Sequence, residues 1–333
     1  MRGSRLKVDS DHSASRPCLA AAAIRLALLI SLPACLGLAG RWHWLLDLCA
    51  HFRAQYALAL ALALGLGLAL ATRARRAALY LGAVSALNAA LWLGASGPTA
   101  PERPTLPGSE RLLLLANIHV GNPDLAPLLA LIERENPDLV AILELSPAAR
   151  EALATLDARY PVRLAEPRAD PFGIGAWTRL PAAQVEVVAS QPLQHPTLRV
   201  RFAAPGAASL WISHPFPPLG ARGAHWRDQQ LGELADWLSG DPGALLLGDL
   251  NTTPWSAAYR ALRARAGLRD SRAGYFPWPT WYAGGIASVM ALPIDHILVG
   301  DDWQVLDYRV GPDIGSDHRP VLVRLARVDA PAG

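Results

Sequence analysis

From Cys18 to Gly97 the chain is dominated by Ala, Leu and Gly, and at Pro98 that character stops. Three apolar runs lie inside this block, roughly 19–39, 54–71 and 77–95. Each approaches the ~20 helical residues that cross ~30 Å of hydrocarbon. The middle run alternates Leu with Ala and Gly, but nothing polar occupies the alternate places, so it reads as a helix in lipid and not as a strand. Buried helices of a soluble bundle are the alternative. Arg25 and Asn88 are the polar intruders, and Arg25 is close enough to a helix end to reach the headgroups.

Basic residues orient these spans. The N-terminal tail holds Arg2, Arg5, Lys7 and Arg16, and the second loop holds Arg73, Arg75 and Arg76. The first loop has only Arg41 and Arg53, diluted by Asp47. Positive-inside logic puts the tail and second loop in the cytoplasm and, after three spans, the remainder of the chain outside the membrane. A cleaved signal peptide is the rival for the first run, and it leaves the same placement. The expected division is a tail (1–17), a three-helix anchor (18–97), a proline-rich linker (98–110), a globular domain (111–326) and a short tail (327–333).

A net charge of +3 is too small to imply a nucleic-acid partner. Lys7 is the only lysine among many arginines, which fits the coding bias of a GC-rich bacterium. Cys18, Cys35 and Cys49 all precede the globular part, so that part has no disulfide.

Beyond the linker, short apolar runs alternate with amphipathic stretches. Strands are expected at 112–118, 139–145, 172–178, 184–189, 198–202, 209–213, 244–250, 294–299, 305–310 and 320–325. Helices fit 125–136, a segment opened by Ser146-Pro147, 225–238 and 256–266. That is too strand-rich for a doubly wound sheet. Two packed sheets covered by helices fit better.

Polar residues recur where the apolar runs end. Asn117 and His119 follow Leu-Leu-Leu-Leu-Ala, Glu144 ends Leu-Val-Ala-Ile-Leu, and His214 follows Leu-Trp-Ile-Ser. Asp249 and Asn251 follow Leu-Leu-Leu-Gly and, two apart on a strand, share one side. Asp295-His296 and Asp317-His318 adjoin further strands. Singly, each reads as well as a turn, cap or core residue. Together they share one location in the folding pattern.

These motifs, in this order, resemble the endonuclease/exonuclease/phosphatase superfamily of DNase I-like proteins. The matching stretches are Ala116-Asn117-Ile118, the Pro137–Glu144 run, Ser213-His214-Pro215, Gly248-Asp249-Leu250-Asn251, Ile294-Asp295-His296 and Ser316-Asp317-His318-Arg319-Pro320-Val321. The resemblance implies an α/β four-layer sandwich: two packed mixed sheets flanked by helices, here preceded by three transmembrane helices. It implies that Glu144 is the principal Mg2+ ligand, with Asn117 and Asp317 near the metal and Mn2+ as a substitute. It also implies that Asp249, helped by Asn251, handles the attacking water, and that His214 and His318, the latter polarised by Asp295, stabilise charge on the phosphate. Some family nucleases carry an acid two residues after the first Asn. This chain has His119 there, which leaves one or two metals open.

Three spans followed by this domain look like the membrane-anchored bacterial branch that includes VanJ-like glycopeptide-resistance proteins, to which undecaprenyl pyrophosphate hydrolysis is attributed. The implied substrate carries phosphate and is lipid-linked. An extracytoplasmic nuclease acting on DNA or RNA is the alternative, weakened by the lack of a basic stripe. A non-enzymatic membrane-tethered binding module fits least. The segment 270–291, with Tyr275, Phe276, Trp278 and Trp281, is expected as a loop near the site, either packed on the sandwich edge or gripping substrate.

Overall fold

The structure, a computed structural model, describes residues 12–69, 75–94, 97, 101–203 and 208–329. It divides into two compact units, Met1–Leu93 and Gly94–Gly333. Arg2, Arg5, Lys7 and Arg73, on which part of the orientation argument rests, lie outside the described residues.

The first unit is helical: α1 (His12–Leu36), a 3-10 turn (Gly37–Trp42), α2 (Trp44–Ala50), α3 (Arg53–Ala69) and α4 (Arg75–Leu93). Two stretches, Ala21–Trp42 and Arg76–Leu93, are long and apolar enough to cross a membrane. The middle run differs from expectation. It qualifies only if Trp44–Ala50 and Arg53–Leu66, bent by 63°, act as one span. The outward faces carry leucine: Leu29, Leu62 and Leu79 are 69%, 75% and 66% exposed, which water would penalise. Asn88 finds its use here. Buried Arg53 donates from Nη1 to Asn88 Oδ1 (2.9 Å) and to the Ala34 carbonyl (2.6 Å), so the apparent loop arginine ties three helices together.

The second unit holds two six-stranded sheets. In chain order the strands are β1 (Arg111–Asn117), β2 (Leu139–Leu143), β3 (Val162–Glu166), β4 (Ile174–Thr178), β5 (Ala182–Ser190), β6 (His195–Phe202), β7 (Ser209–Ser213), β8 (Leu245–Asp249), β9 (Arg269–Asp270), β10 (Asp295–Val299), β11 (Trp303–Val310) and β12 (Val321–Arg327). The first sheet runs β11-β12-β1-β2-β4-β3 and the second β5-β6-β7-β8-β10-β9. Each sheet is antiparallel except for one central parallel pair, β1 with β2 and β7 with β8. Helices α5 (Ala126–Glu135), α6 (Pro147–Ala152), α7 (Gly220–Leu238) and α8 (Ala257–Ala266) complete the unit.

Two packed mixed sheets with flanking helices are therefore present, as the strand count implied. Strands β3 and β9 escaped the sequence reading. Val162–Glu166 is only half-buried and Arg269–Asp270 has two residues, so neither carries an apolar run. The linker is also less free than its prolines suggest. Thr105 bridges Val328, and Leu106 N–H donates to the Arg327 carbonyl, so its end is stitched to β12.

One core lies between the sheets, built from alternate residues such as Leu113 and Leu115 of β1, Val323 and Leu325 of β12, and Leu245 and Leu247 of β8. The other faces of β1 and β2 pack under α5 and α6, and those of β8 under α7 and α8. Burial on both faces explains the unbroken Leu runs. It also forces the parallel strands to release their polar residues together, at their carboxyl ends.

Candidate active site

The parallel pairs set the site. Asn117 ends β1 and Glu144 follows β2 in one sheet, while His214 follows β7 and Asp249 ends β8 in the other. Asp295 opens β10 directly opposite Asp249 in antiparallel register. Gly248 is required by this packing: a Cβ there would sit 2.1 Å from the Ser213 carbonyl oxygen.

Asp249 is buried at the centre. Its Oδ2 lies 3.4 Å from His214 Nε2, 3.6 Å from His318 Nε2 and 3.3 Å from Asn117 Nδ2, which donates to it. Oδ1 accepts from the Asn251 backbone N–H (2.9 Å). Burial would raise the Asp249 carboxyl, but the His214 hydrogen bond and the charges of His318 and His214 outweigh it and hold the group ionised, below its ordinary value.

Each histidine is aimed by its other nitrogen. His318 donates from Nδ1 to Asp295 Oδ2 at 2.8 Å. Burial alone would lower its pKa; the Asp295 charge and hydrogen bond, with Asp249 behind them, raise it to about 10. His214 Nδ1 donates to the Pro171 carbonyl (3.1 Å), and here too burial is outweighed, chiefly by Asp249, so the pKa rises. The centre thus places two imidazole rings, both with raised pKa, around one carboxylate. That is a receptor for a tetrahedral anion.

The first sheet supplies oxygen. Asn117 Nδ2 donates to Glu144 Oε1 (3.0 Å), and Val120 N–H donates to Oε2 (2.9 Å). Asn117 Oδ1 accepts from His119 N–H (3.1 Å), so its amide is fixed and orients Glu144. Asp317 sits exposed at the rim, accepting from Trp281 Nε1 (3.0 Å). Asn251 turns away from Asp249, donating from Nδ2 to the Pro215 carbonyl (3.0 Å). His119 lies 3.8 Å from Glu144 Oε2, where an acid would only add repulsion in the absence of a cation.

A cation has two places to fit. Ligand atoms of Asp249, Asp295 and His318 lie within 4.8 Å of one another. The donors argue against that trio, because a His318 that keeps its proton repels a cation. Glu144, partly open to solvent, offers carboxylate oxygen of the kind hard divalent cations take.

The backbone around these groups is strained. His119, Glu144 and Asn251 all have positive φ (60°, 59° and 48°), three of the five non-glycine residues that do so among those described. Strain concentrated where function sits is the usual pattern.

The sequence reading missed several supports. Thr280 Oγ1 accepts from both Ile294 N–H (3.1 Å) and Asp295 N–H (3.0 Å), fixing the start of β10. Arg272, fully buried, donates from Nη2 to the Asp295 carbonyl (2.9 Å) and from Nε to the Tyr308 hydroxyl (3.1 Å). Its charge near Asp270 was a usable signal; the Pro171 carbonyl, carried by every residue type, gave none. The aromatic segment divides its labour: Trp281 joins Asp317 and Tyr275 packs near Tyr308, while Trp278 remains more than half exposed.

The family model for the endonuclease/exonuclease/phosphatase family matches residues 114–318, from the first buried strand to His318. The chain belongs to that family. Its chemistry is accordingly hydrolysis at phosphate ester bonds, the work of divalent-metal-dependent phosphoesterases and nucleases. Solved structures agree on the fold. The endonuclease/exonuclease/phosphatase of Beutenbergia cavernae is 20% identical, with a TM-score of 0.54 over 68% of this chain and 73% of that one. The D. rerio TDP2 complex with a single-strand DNA product is 17% identical, with a TM-score of 0.55 over 65% of this chain and 99% of its own. The human Nocturnin catalytic domain with bound sulfate is 14% identical, with a TM-score of 0.54 over 68% and 97%. No protein of curated function matches the sequence.

Proposed function

We propose that this family member is a membrane-anchored, Mg2+-dependent phosphoesterase that hydrolyses a phosphate ester or anhydride outside the bacterial cytoplasm, on a lipid-linked substrate such as a polyprenyl pyrophosphate. The observation that carries the chemistry is the carboxylate of Asp249 held between two imidazole rings, 3.4 and 3.6 Å away. A phosphate bound by His214 and His318 has its negative charge met from two sides, and the ionised Asp249 orients the attacking water and receives its proton. Asp295 keeps His318 charged and correctly turned. Glu144 would hold the cation, with Asp317 at the rim and Asn117 behind it. When bound, Mg2+ supplies Lewis-acid polarisation of the phosphate.

The apolar helices support the location, and with it a place in the VanJ-like membrane branch. Leucine-faced helices fit lipid, and a tethered site meets lipid-borne phosphate at raised effective concentration. The nuclease reading draws on one observation, the DNA product held by the D. rerio TDP2 fold. It is separated from ours by assay. Purified full-length protein with Mg2+ should release phosphate from polyprenyl pyrophosphate, leave single- and double-stranded DNA uncut, and lose activity in EDTA with recovery on Mg2+ or Mn2+. DNA cleavage without lipid hydrolysis would sink the substrate assignment.

A further inference from the structure

The sandwich has a second opening, at the end where β1, β2 and β8 begin, away from Asn117, Glu144 and Asp249. A cavity of about 330 Å3 lies there between the sheets. That is within the ~300–1,000 Å3 of small-molecule sites. Its walls are apolar and come from both sheets: Leu113 and Leu139 from the first, Phe202 and Leu245 from the second. Arg111 and Arg327 line it too.

The two arginines are out of pattern. Side chains on one face of a strand recur every second residue. Arg111 stands two before Leu113, and Arg327 two after Leu325, and both leucines belong to the inter-sheet core. The inward faces of neighbouring strands β1 and β12 therefore both finish in arginine. Arg327 is paired with Asp302 at 3.0 Å. Arg111 is different. Its Nη1 donates to the carbonyls of Gly108 (3.0 Å) and Glu110 (2.6 Å), and no described carboxylate lies within 4.0 Å of it. A half-buried guanidinium without a counter-ion, at the mouth of a greasy cavity, asks for a negative charge with an apolar tail.

We propose that this cavity binds a single-chain anionic amphiphile, its chain between the sheets and its carboxylate or phosphate on Arg111. The neighbouring wall is built by Leu106 and Ser109, the segment through which the chain enters the domain, so occupancy would be sensed where the linker is stitched to β12. This site is independent of which phosphate the other end attacks.

The test uses full-length protein in lipid nanodiscs, a photoreactive diazirine analogue of dodecanoate, and peptide mapping of the labelled positions. Label should fall on peptides bearing Leu113, Leu139, Phe202 or Leu245. Excess dodecanoate or dodecyl phosphate should displace it; whichever displaces better identifies the headgroup. Dodecanol should compete at least tenfold more weakly than either anion. Arg111→Gln should reduce capture about tenfold, the value of one charge-assisted contact. Leu245→Trp, which fills the space, should abolish it; if that variant does not fold, Arg111→Gln decides alone. Label confined to the N-terminal helices, equal competition by dodecanol, or unchanged capture by Arg111→Gln would overturn the proposal.

Discussion

The two sheets of the sandwich share a plan and differ in what they bring to the site. Both are six-stranded with a single parallel pair at the centre. The first ends its pair in a buried Asn117 amide and a Glu144 carboxylate that is partly open to solvent and held on a left-handed backbone. The second ends its pair in His214 and Asp249, and adds Asp295, all buried and held by charge. Similar architecture thus yields an edge with a carboxylate open to solvent and an edge of buried charge, and the function proposed above puts the cation at the first and the phosphate between them. His318 comes from the turn before β12 of the first sheet yet answers to Asp295 of the second, so it is the latch across the two.

Removing the latch should have the largest effect. His318→Ala deletes one of two cationic groups and leaves Asp295 without its partner, and turnover should fall about 10²–10⁴-fold. Initial rates on a chromogenic phosphodiester, with the melting temperature as control, check this. The contrast between the sheets predicts a signature as well as a size. His318→Ala should lower the rate at all Mg2+ concentrations, whereas Glu144→Gln should raise the Mg2+ needed for half-maximal rate. Identical Mg2+ profiles for the two variants would dissolve the division between the edges.

The second sheet's dependence on buried charge should also show as acid sensitivity. His296 is fully buried, faces the Thr252 carbonyl at 2.8 Å through Nε2, and packs with its ring tilted against Tyr259. Burial first, and the Arg272 charge second, push its pKa down to about 3. In the unfolded chain it titrates near its ordinary value of 6.5. Between those values the unfolded state binds a proton that the folded state refuses. Stability therefore falls as pH drops from about 6.5 toward about 3, by up to ~1.4 kcal/mol per unit for this one residue. His296→Asn can still donate to Thr252 without titrating. Denaturation midpoints of the wild type should drop faster than the variant's over pH 6.5 to 4.5; parallel slopes would show that His296 is protonated in the folded protein.

Much of this was legible in the sequence, for a physical reason. Burial on both faces makes a parallel strand an unbroken apolar run, so the polar residue that ends it stands out, as at Asn117, Glu144 and Asp249. The family order of the motifs then supplied roles that spacing alone did not. What stayed hidden was held by groups without sequence character. The Pro171 carbonyl that turns His214 belongs to the backbone, and Arg272 reaches Asp295 through a carbonyl 23 positions away. The helical unit shows the same limit. Arg53 read as a loop charge because its partner Asn88 is 35 positions on, and nothing in an Ala-Leu alternation announces the 63° bend beside it.

The smallest effect tests the strain of the first sheet. Glu144 holds φ at 59°, in the left-handed region that disfavours a residue with a long side chain and is tolerated by asparagine. It also holds a carboxylate in the polar cluster around Asn117, whose amide bridges it to Asp249. Glu144→Gln removes the charge and keeps the strain; Glu144→Asn removes both. If strain is stored at this edge, the Asn variant should be the more stable of the two by about 1 kcal/mol, while both lose activity. Thermal unfolding of the two metal-free variants side by side reads the difference directly. Equal midpoints would mean that the left-handed turn after β2 costs nothing, and that the first sheet, like the second, is governed by charge alone.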